Sequence, residues 1–416
     1  MLIKEKIIQI CLTASAAVMA LSSCHNEIEI VSLGINDYYY LPRMKKLRME
    51  TAYEGEAFRW FAIDSEGNDS LVSTARSYTF LKGEEGEYHL RFEIDMEGRT
   101  MKHSFPIFVV HEEVEYSPYT ANVYEYRPAP GQFVNTMPMY SPGDTEKDMV
   151  RKAKDALLSD EMITLGAYGG YVTFGFDHTV CNTPGQMDFM IKGNAFYSDL
   201  PEYEALQGGS SEPGIVMVSV DSNGNGVPDD EWYELAGSEY YKSTTLKNYR
   251  ITYSRPQEGR EPVPDKKNQI ADLYYIPWTD NHGGSGYVAK NTYHTQDYFP
   301  AWIDDDTMTF SGSLLPQNGV DESHRGTYFV LYAYPWGYVD NQPNRLMSLN
   351  CFNIDWAVDG DGNPVHLDGV DFIRVYTGVN QYCGWLGETS TEVLRATDLH
   401  IDNDEYLFDQ TGENNN

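Results

Sequence analysis

The sequence predicts an all-β protein, in which a small β-sandwich is followed by a larger, jelly-roll-like β-sandwich with one short helix. Segments of alternating apolar and polar residues, such as Phe58–Ala62, recur along the chain and are separated by turn signals such as Glu66–Asn68. Between residues 163 and 407 the segments are joined by long loops, without the regular strand–helix alternation of α/β proteins. Because 416 residues exceed the ~250 that one core usually reaches, we expect more than one domain.

The first 23 residues have the features of an export signal. Lys4 and Lys6 precede an apolar run over residues 7–21, and Ser22 and Ser23 come just before Cys24. This pattern resembles a bacterial lipoprotein signal, which implies that the mature chain begins at Cys24 and that Cys24 is the lipidation site. The alternative is an ordinary signal peptide that ends near a cysteine.

The predicted location follows from this signal. Glu27 and Glu29 resemble the surface-export signals of Bacteroidetes lipoproteins, which implies a lipid-anchored protein of the outer membrane at the cell surface. No later segment has the ~20 apolar residues of a spanning helix, so the lipid is expected to be the only attachment to the membrane.

The mature chain divides into three parts. Residues 24–113 are predicted to form the small sandwich, residues 114–143 a Pro-rich linker or irregular first strand, and residues 144–410 the larger, ligand-binding domain. The larger domain begins with a helix over residues 145–159, capped by Asp144 or Thr145. One apolar face of this helix is expected to contain Met149, Ala153, Leu157 and Leu158.

Charge and cysteine content exclude several classes of protein. The formal charge is −33, and loss of Lys4, Glu5 and Lys6 with the signal takes it to about −34, so nucleic acid is excluded as a partner. Three cysteines remain in the mature chain besides Cys24, and this odd number argues against a disulfide scaffold. A single Cys351–Cys383 bridge stays open.

The segment from Asp221 to Glu231 has the spacing of a calcium-binding loop. Its candidate metal ligands are Asp221, Asn223, Asn225, the carbonyl of Val227, Asp229 and Glu231. The twelfth position is Trp232 where an EF-hand has Glu, so the loop is a truncated version. The two interpretations, a structural calcium site and a plain Asn-Gly hairpin, have equal weight.

The sequence contains no pattern typical of a catalytic site, and we expect a protein that is not an enzyme and has no catalytic cofactor. Gly283–Tyr287 fails the last position of a nucleophile elbow, and the histidines lack metal-ligand spacing. Aromatic and amide side chains are instead concentrated between residues 278 and 302, which favours a surface for a neutral polar ligand. The candidate ligand-binding residues are Trp278, Asn281, His282, Tyr287, Tyr293, Tyr298, Trp302 and Trp385.

Several strings resemble a known group of secreted proteins. They lie at Gly169–Asp177, Asp188–Phe189, Gly193–Phe196, Glu212–Val218, Trp232–Ser238, Val370–Thr377 and Gly384–Ser390. Together with residues 45–110, which resemble a PKD-like, immunoglobulin-like module in which Trp60 packs between the sheets, they resemble Bacteroidetes cell-surface lipoproteins with a PKD-like N-terminal domain. Some of these resemble the cobalamin-binding lipoproteins of vitamin B12 uptake loci.

The resemblance implies a surface lipoprotein that binds cobalamin and passes it to a TonB-dependent outer-membrane transporter. Two alternatives stay open: a glycan-binding surface lipoprotein that uses the same aromatic residues, and a structural or adhesion protein in which they form the core. A broad groove that fits a corrin favours the first function, and a narrow aromatic platform favours the glycan.

Overall fold

The computed structural model describes residues 33–198 and 207–401. The predicted signal peptide and Cys24 lie outside the described residues. The all-β prediction is confirmed, since the described chain contains 28 strands, one α-helix and four short 3-10 helices. None of its helices is long and apolar enough to cross a bilayer.

Seven strands, with Trp60 at their centre, form the N-terminal sandwich. Their bounds are β1 Tyr39–Pro42, β2 Leu47–Glu50, β3 Ala57–Ile63, β4 Asp69–Ser73, β5 Ser77–Phe80, β6 Gly86–Met96 and β7 Arg99–Val110. One sheet has the order β1-β7-β6-β3-β4, with β1 parallel to β7, and the second sheet is the β2-β5 pair. Trp60 is fully buried, 4.3 Å from the ring of Phe92 and 5.8 Å from that of Tyr78 on β5. It therefore packs between the two sheets, as the sequence predicts.

The remaining strands belong to the larger domain. Their bounds are β8 Asn122–Arg127, β9 Ile163–Thr164, β10 Tyr171–Gly175, β11 Val180–Cys181, β12 Phe189–Ile191, β13 Phe196–Tyr197, β14 Gly208–Ser210, β15 Gly214–Ser219, β16 Trp232–Leu235, β17 Leu246–Ser254, β18 Ile270–Asp280, β19 Ser285–Asn291, β20 Thr307–Leu314, β21 Gly319–Asp321, β22 Phe329–Tyr332, β23 Cys351–Phe352, β24 Ala357–Val358, β25 Gly369–Val370, β26 Phe372–Thr377, β27 Glu392–Val393 and β28 Ala396–Asp398. The 3-10 helices are Lys266–Asn268, Met347–Asn350, Ile354–Trp356 and Gly384–Leu386.

The core of this domain lies between two antiparallel sheets. The six-stranded sheet has the order β24-β16-β15-β26-β10-β8, and the four-stranded sheet has the order β19-β18-β17-β20. Residues of both sheets, among them Phe174, Val216, Tyr253 and Phe310, belong to one buried apolar cluster. Smaller sheets surround this sandwich: β13-β14-β22-β21, β23-β12-β28, β11-β25 and β27-β9. Strand β8, in the segment predicted as linker or first strand, forms an edge of the larger sheet.

Helix α1 (Glu146–Leu158) confirms the predicted helix. Thr145 is the N-cap: its hydroxyl accepts the Asp148 amide, and the Asp148 carboxylate accepts the Thr145 amide, which completes a capping box. Met149, Ala153 and Leu157 are buried as predicted, but the placement of Leu158 on this face is wrong. Leu158 is exposed because nine residues of helix rotate it to the opposite side from Met149.

The three described cysteines, Cys181, Cys351 and Cys383, are buried and free of disulfides. A Cys351–Cys383 bridge, which the sequence left open, is therefore not formed. The two sandwiches meet near the first of these residues. Met44 and Leu81 of the N-terminal sandwich pack with Cys181, and Lys46 Nζ donates to Asp371 Oδ2 at 2.8 Å. The junction thus combines apolar packing with a partly buried ion pair.

Candidate functional site

One cavity of about 320 Å³ brings together residues that are far apart in the sequence; we call it the Trp385 cavity. It is lined by Gln132, Phe133, Asn194, Ser210, Glu212, Asn291, Tyr293, His294, Leu331, Cys383, Trp385, Leu386, Gly387, Glu388, Thr389 and Glu392. Its rim is aromatic and its floor carries carboxylate and amide groups. A cavity of this size and composition is typical of a small-ligand site.

Two exposed rings form the rim. Trp385 is 38% exposed and Tyr293 is 61% exposed, and their centroids lie 6.1 Å apart with the planes at 67°. The Trp385 indole N–H donates to the Thr327 carbonyl at 3.2 Å, which fixes the ring. Gly387 follows at φ +92°, where a Cβ would lie 2.9 Å from Gln132 Oε1, so a glycine is needed for the turn that presents Trp385.

Gln132 connects the loops of this site. Its side-chain amide donates to the Leu386 carbonyl at 2.7 Å and accepts from the Asn291 amide at 2.7 Å. Its backbone N–H donates to Glu388 Oε1 at 2.6 Å. The loop after β19, which carries Tyr293, and the loop that carries Trp385 are therefore held in a fixed arrangement by one residue.

The floor is acidic. Burial raises the pKa of Glu388 to about 8, and burial, followed by the charge of Asp340, raises the pKa of Glu212. Burial also lowers the pKa of His294, so this ring is neutral at pH 7. Among the described lining residues there is no Lys or Arg, so the cavity disfavours anionic ligands.

Of the eight predicted ligand-binding residues, Tyr293 and Trp385 line this cavity. Trp278 and Tyr287 line a neighbouring cavity of about 160 Å³ that shares Glu388 and Thr389 with it. The prediction that Tyr298 and Trp302 belong to a binding surface is wrong. Both rings are buried and pack in the apolar core of the sandwich.

The remaining two predicted residues lie in the turn between β18 and β19. The Asn281 side chain accepts the Arg250 amide and donates to the Asn248 carbonyl, and the His282 ring stacks on Tyr249 at 5.8 Å. The glycine-rich segment is the turn of this hairpin, with Gly283 at φ +83°. On β19, a Cβ on Gly286 would lie 2.5 Å from the ring of Trp278, which is its partner on β18. This glycine therefore makes room for the indole.

The predicted calcium loop is exposed and closed by its own hydrogen bonds. Asp221 accepts the amides of Gly224, Asn225 and Gly226 at 2.8–3.0 Å. The Asn225 side-chain amide donates to Asp229, and the Asn223 amide does the same at 3.1 Å. A cation would need these amides to turn their oxygens inward, and Glu231 instead accepts from the Tyr233 hydroxyl. Calcium at this loop stays a prediction.

A set of three carboxylates that the sequence analysis missed converges beside the Trp385 cavity. Glu212, Asp340 and Glu392 each offer an oxygen within 4.8 Å of the other two; we call them the carboxylate cluster. Glu212 and Glu392 also line the cavity. Because the three residues are far apart in the sequence, no local motif indicates that they form a site.

A second cavity with aromatic lining, of about 520 Å³, is less suited to ligand stacking. Arg374 lies over the ring of Trp232 at 4.1 Å, and Lys247 lies over the ring of Tyr240 at 2.8 Å. These cations already occupy the ring faces that a ligand would need. Among the described residues no cation lies over Trp385 or Tyr293, which favours the Trp385 cavity.

The comparisons with known proteins do not assign this chain to a family. No protein-family model and no curated protein matches the sequence. Among solved structures, a SusE-like protein aligns at 8% identity over 86% of this chain and 96% of its own, with a TM-score of 0.25. A structure of carbohydrate-binding modules from the β-sandwich superfamily aligns at 8% identity over 85% and 91%, with a TM-score of 0.15. At these TM-scores neither likeness supports an inference about fold or function.

Proposed function

We propose that this protein is a lipid-anchored surface protein that binds a neutral carbohydrate in the Trp385 cavity. The observation that carries the proposal is the pair of exposed rings, Trp385 and Tyr293, above a floor of carboxylate and amide groups. A pyranose presents an apolar C–H face that stacks on an aromatic ring, while its hydroxyl groups hydrogen-bond to groups such as those of Glu388 and Asn291.

The size and charge of the cavity support this choice. A cavity of about 320 Å³ matches one or two sugar units better than a corrin ring with its fringe of amides. The described lining residues include no Lys or Arg that could pair with the carboxylate of a sialic or uronic acid, so we expect neutral sugars. A narrow aromatic platform, such as the one formed by Trp385 and Tyr293, favours a glycan over cobalamin.

The proposal is tested with the soluble chain from residue 25 onward on an array of neutral and acidic oligosaccharides. We expect binding to neutral members, followed by a saturable calorimetric titration with the best of them. Recovery of that sugar uncleaved is expected for a protein that is not an enzyme. An array without any bound neutral glycan would contradict the proposal.

Cobalamin capture and delivery to a TonB-dependent transporter stay predictions from the sequence resemblance. Titration of the same protein with cyanocobalamin decides between the two ligands. Tight one-to-one binding of cyanocobalamin with no glycan binding would replace the carbohydrate proposal.

A further inference from the structure

The carboxylate cluster has the arrangement of ligand oxygens that a cation site needs. Each of its carboxylates is held in place by hydrogen bonds from backbone N–H groups or hydroxyl groups. Asp340 Oδ1 accepts the amides of Asn194 and Ala195 at 2.6 and 2.7 Å, and its Oδ2 accepts the Glu392 amide at 2.9 Å. Glu392 Oε1 accepts the hydroxyls of Thr164 and Ser390 at 3.1 and 3.0 Å. The same Ser390 donates its amide to Glu212 Oε1 at 3.2 Å. Three oxygens are thereby preorganised to converge.

The described lining of the Trp385 cavity, to which Glu212 and Glu392 belong, contains no Lys or Arg that could neutralise the cluster. Asp340 is fully buried and Glu392 nearly so, which places three acidic groups together where water screens them poorly. A cluster of this kind is stabilised by protonation or by a bound cation.

A fourth acidic group provides an independent observation. Glu388 is 5% exposed, and its Oε2 is buried without a hydrogen-bond partner among the described residues. It lines the same cavity as Glu212 and Glu392. A buried carboxylate oxygen without a donor is costly unless a positive charge or a ligand compensates it.

We propose that Glu212, Asp340 and Glu392 bind one divalent cation of the Ca²⁺ class at the floor of the Trp385 cavity, with Glu388 facing the same cavity. All the donors are carboxylate oxygens, which suit hard cations such as Ca²⁺. The set contains neither His nor Cys, so it does not suit Zn²⁺. This site is distinct from the Asp221 loop and does not depend on the carbohydrate proposal.

The test uses the mature chain after EDTA treatment and titrates it with CaCl₂ by calorimetry. We expect wild-type protein to bind calcium and Glu392→Gln to lose one equivalent, or to lose affinity at least tenfold. The matched control is Glu239→Gln, at a buried glutamate that already pairs with Lys242 at 2.7 Å, and it should leave the isotherm unchanged. Asp221→Asn removes only an equivalent bound by the loop.

The proposal is overturned if Glu392→Gln binds calcium as wild type does, or if Asp221→Asn abolishes all the calcium heat. Should Glu392→Gln fail to fold, Glu212→Gln takes its place, since Glu212 is partly exposed and tolerates an amide better. Terbium luminescence sensitised by Trp385 is the second readout. A signal that calcium displaces in wild type and that Glu212→Gln lacks supports the site, and an equal signal in both refutes it.

Discussion

Replacing Trp385 by Ala is the most direct test of the proposed carbohydrate site. The change removes one of the two rings at the rim of the cavity, while Tyr293 and the carboxylate groups of the floor stay in place. It also removes the hydrogen bond from the indole to the Thr327 carbonyl. Because the ring is partly exposed, we expect a loss of ligand affinity without unfolding.

The expected magnitude follows from the exposed area of the ring. A tryptophan side chain carries up to about 250 Å² of surface, and 38% of Trp385 is exposed. If a sugar covers this area, about 95 Å² is removed from water, worth about 2.4 kcal/mol at ~25 cal/mol per Å². The predicted effect is therefore an increase of about 50-fold in Kd.

The assay is calorimetric titration of wild type and variant with the glycan selected on the array. Trp336→Ala is the matched control, because Trp336 is 39% exposed but packs on Trp356 at 4.7 Å, away from the Trp385 cavity. It should leave Kd unchanged. A change below twofold for Trp385→Ala, or an equal loss in both variants, would refute the assignment of the cavity.

Three further predictions concern stability. Thr145→Ala removes the N-cap hydroxyl of α1 and should lower the free energy of unfolding by about 1 kcal/mol in urea titration, with Thr145→Ser close to wild type. Trp60→Ala should cost about 3–5 kcal/mol and shift the thermal transition of the N-terminal sandwich, since its ring is fully buried; no shift would contradict this packing. Burial alone lowers the pKa of His178, but hydrogen bonds and charges from Asp398 and Asp177 outweigh it and raise the pKa. The protonated ring therefore contributes stability below pH ~6.5, which is lost as pH rises through the higher folded-state pKa. Wild type should lose more stability than His178→Gln between pH 6.5 and 8.

Much of the fold follows from local sequence patterns. The alternating segment Phe58–Ala62 is observed within β3, and of the two residues predicted as helix cap, Asp144 and Thr145, Thr145 is the one used. Such features depend on neighbouring residues, so period and turn chemistry determine them.

The hairpin of β18 and β19 escaped prediction for a physical reason. Gly286 interrupts the alternation of apolar and polar side chains in β19. It has no side chain because the Trp278 ring of the paired strand occupies the space that a side chain would need. Residues 278–302 were therefore interpreted as a ligand-binding surface and not as part of a hairpin. Trp278 and Gly286 are only eight residues apart, but which residue faces the glycine depends on the register of the hairpin, which the periodicity of either strand alone does not determine.

The candidate site was predictable only in part. Trp385 and Tyr293 stand out as aromatic residues in polar, glycine-containing segments, and the structure places both at one cavity. The carboxylate cluster could not be found in this way, since its members come from three separate segments and the chain has 63 acidic residues. Abundance concealed the three residues that converge.

The contacts of Lys46 have a consequence for how a ligand bound as proposed would be presented to a receptor. This residue of the N-terminal sandwich holds both Asp371 and the Asp221 carbonyl of the larger domain, and Met44 and Leu81 pack beside it. If the two sandwiches were joined by a flexible hinge, the larger domain could move through a wide volume above the predicted lipid anchor. The contacts at the junction restrict this motion, which would raise the effective concentration of a bound ligand at a receptor within reach. In a chain anchored as predicted and binding a ligand as proposed, the Lys46–Asp371 ion pair would favour repeated encounters with one neighbouring receptor over a long reach.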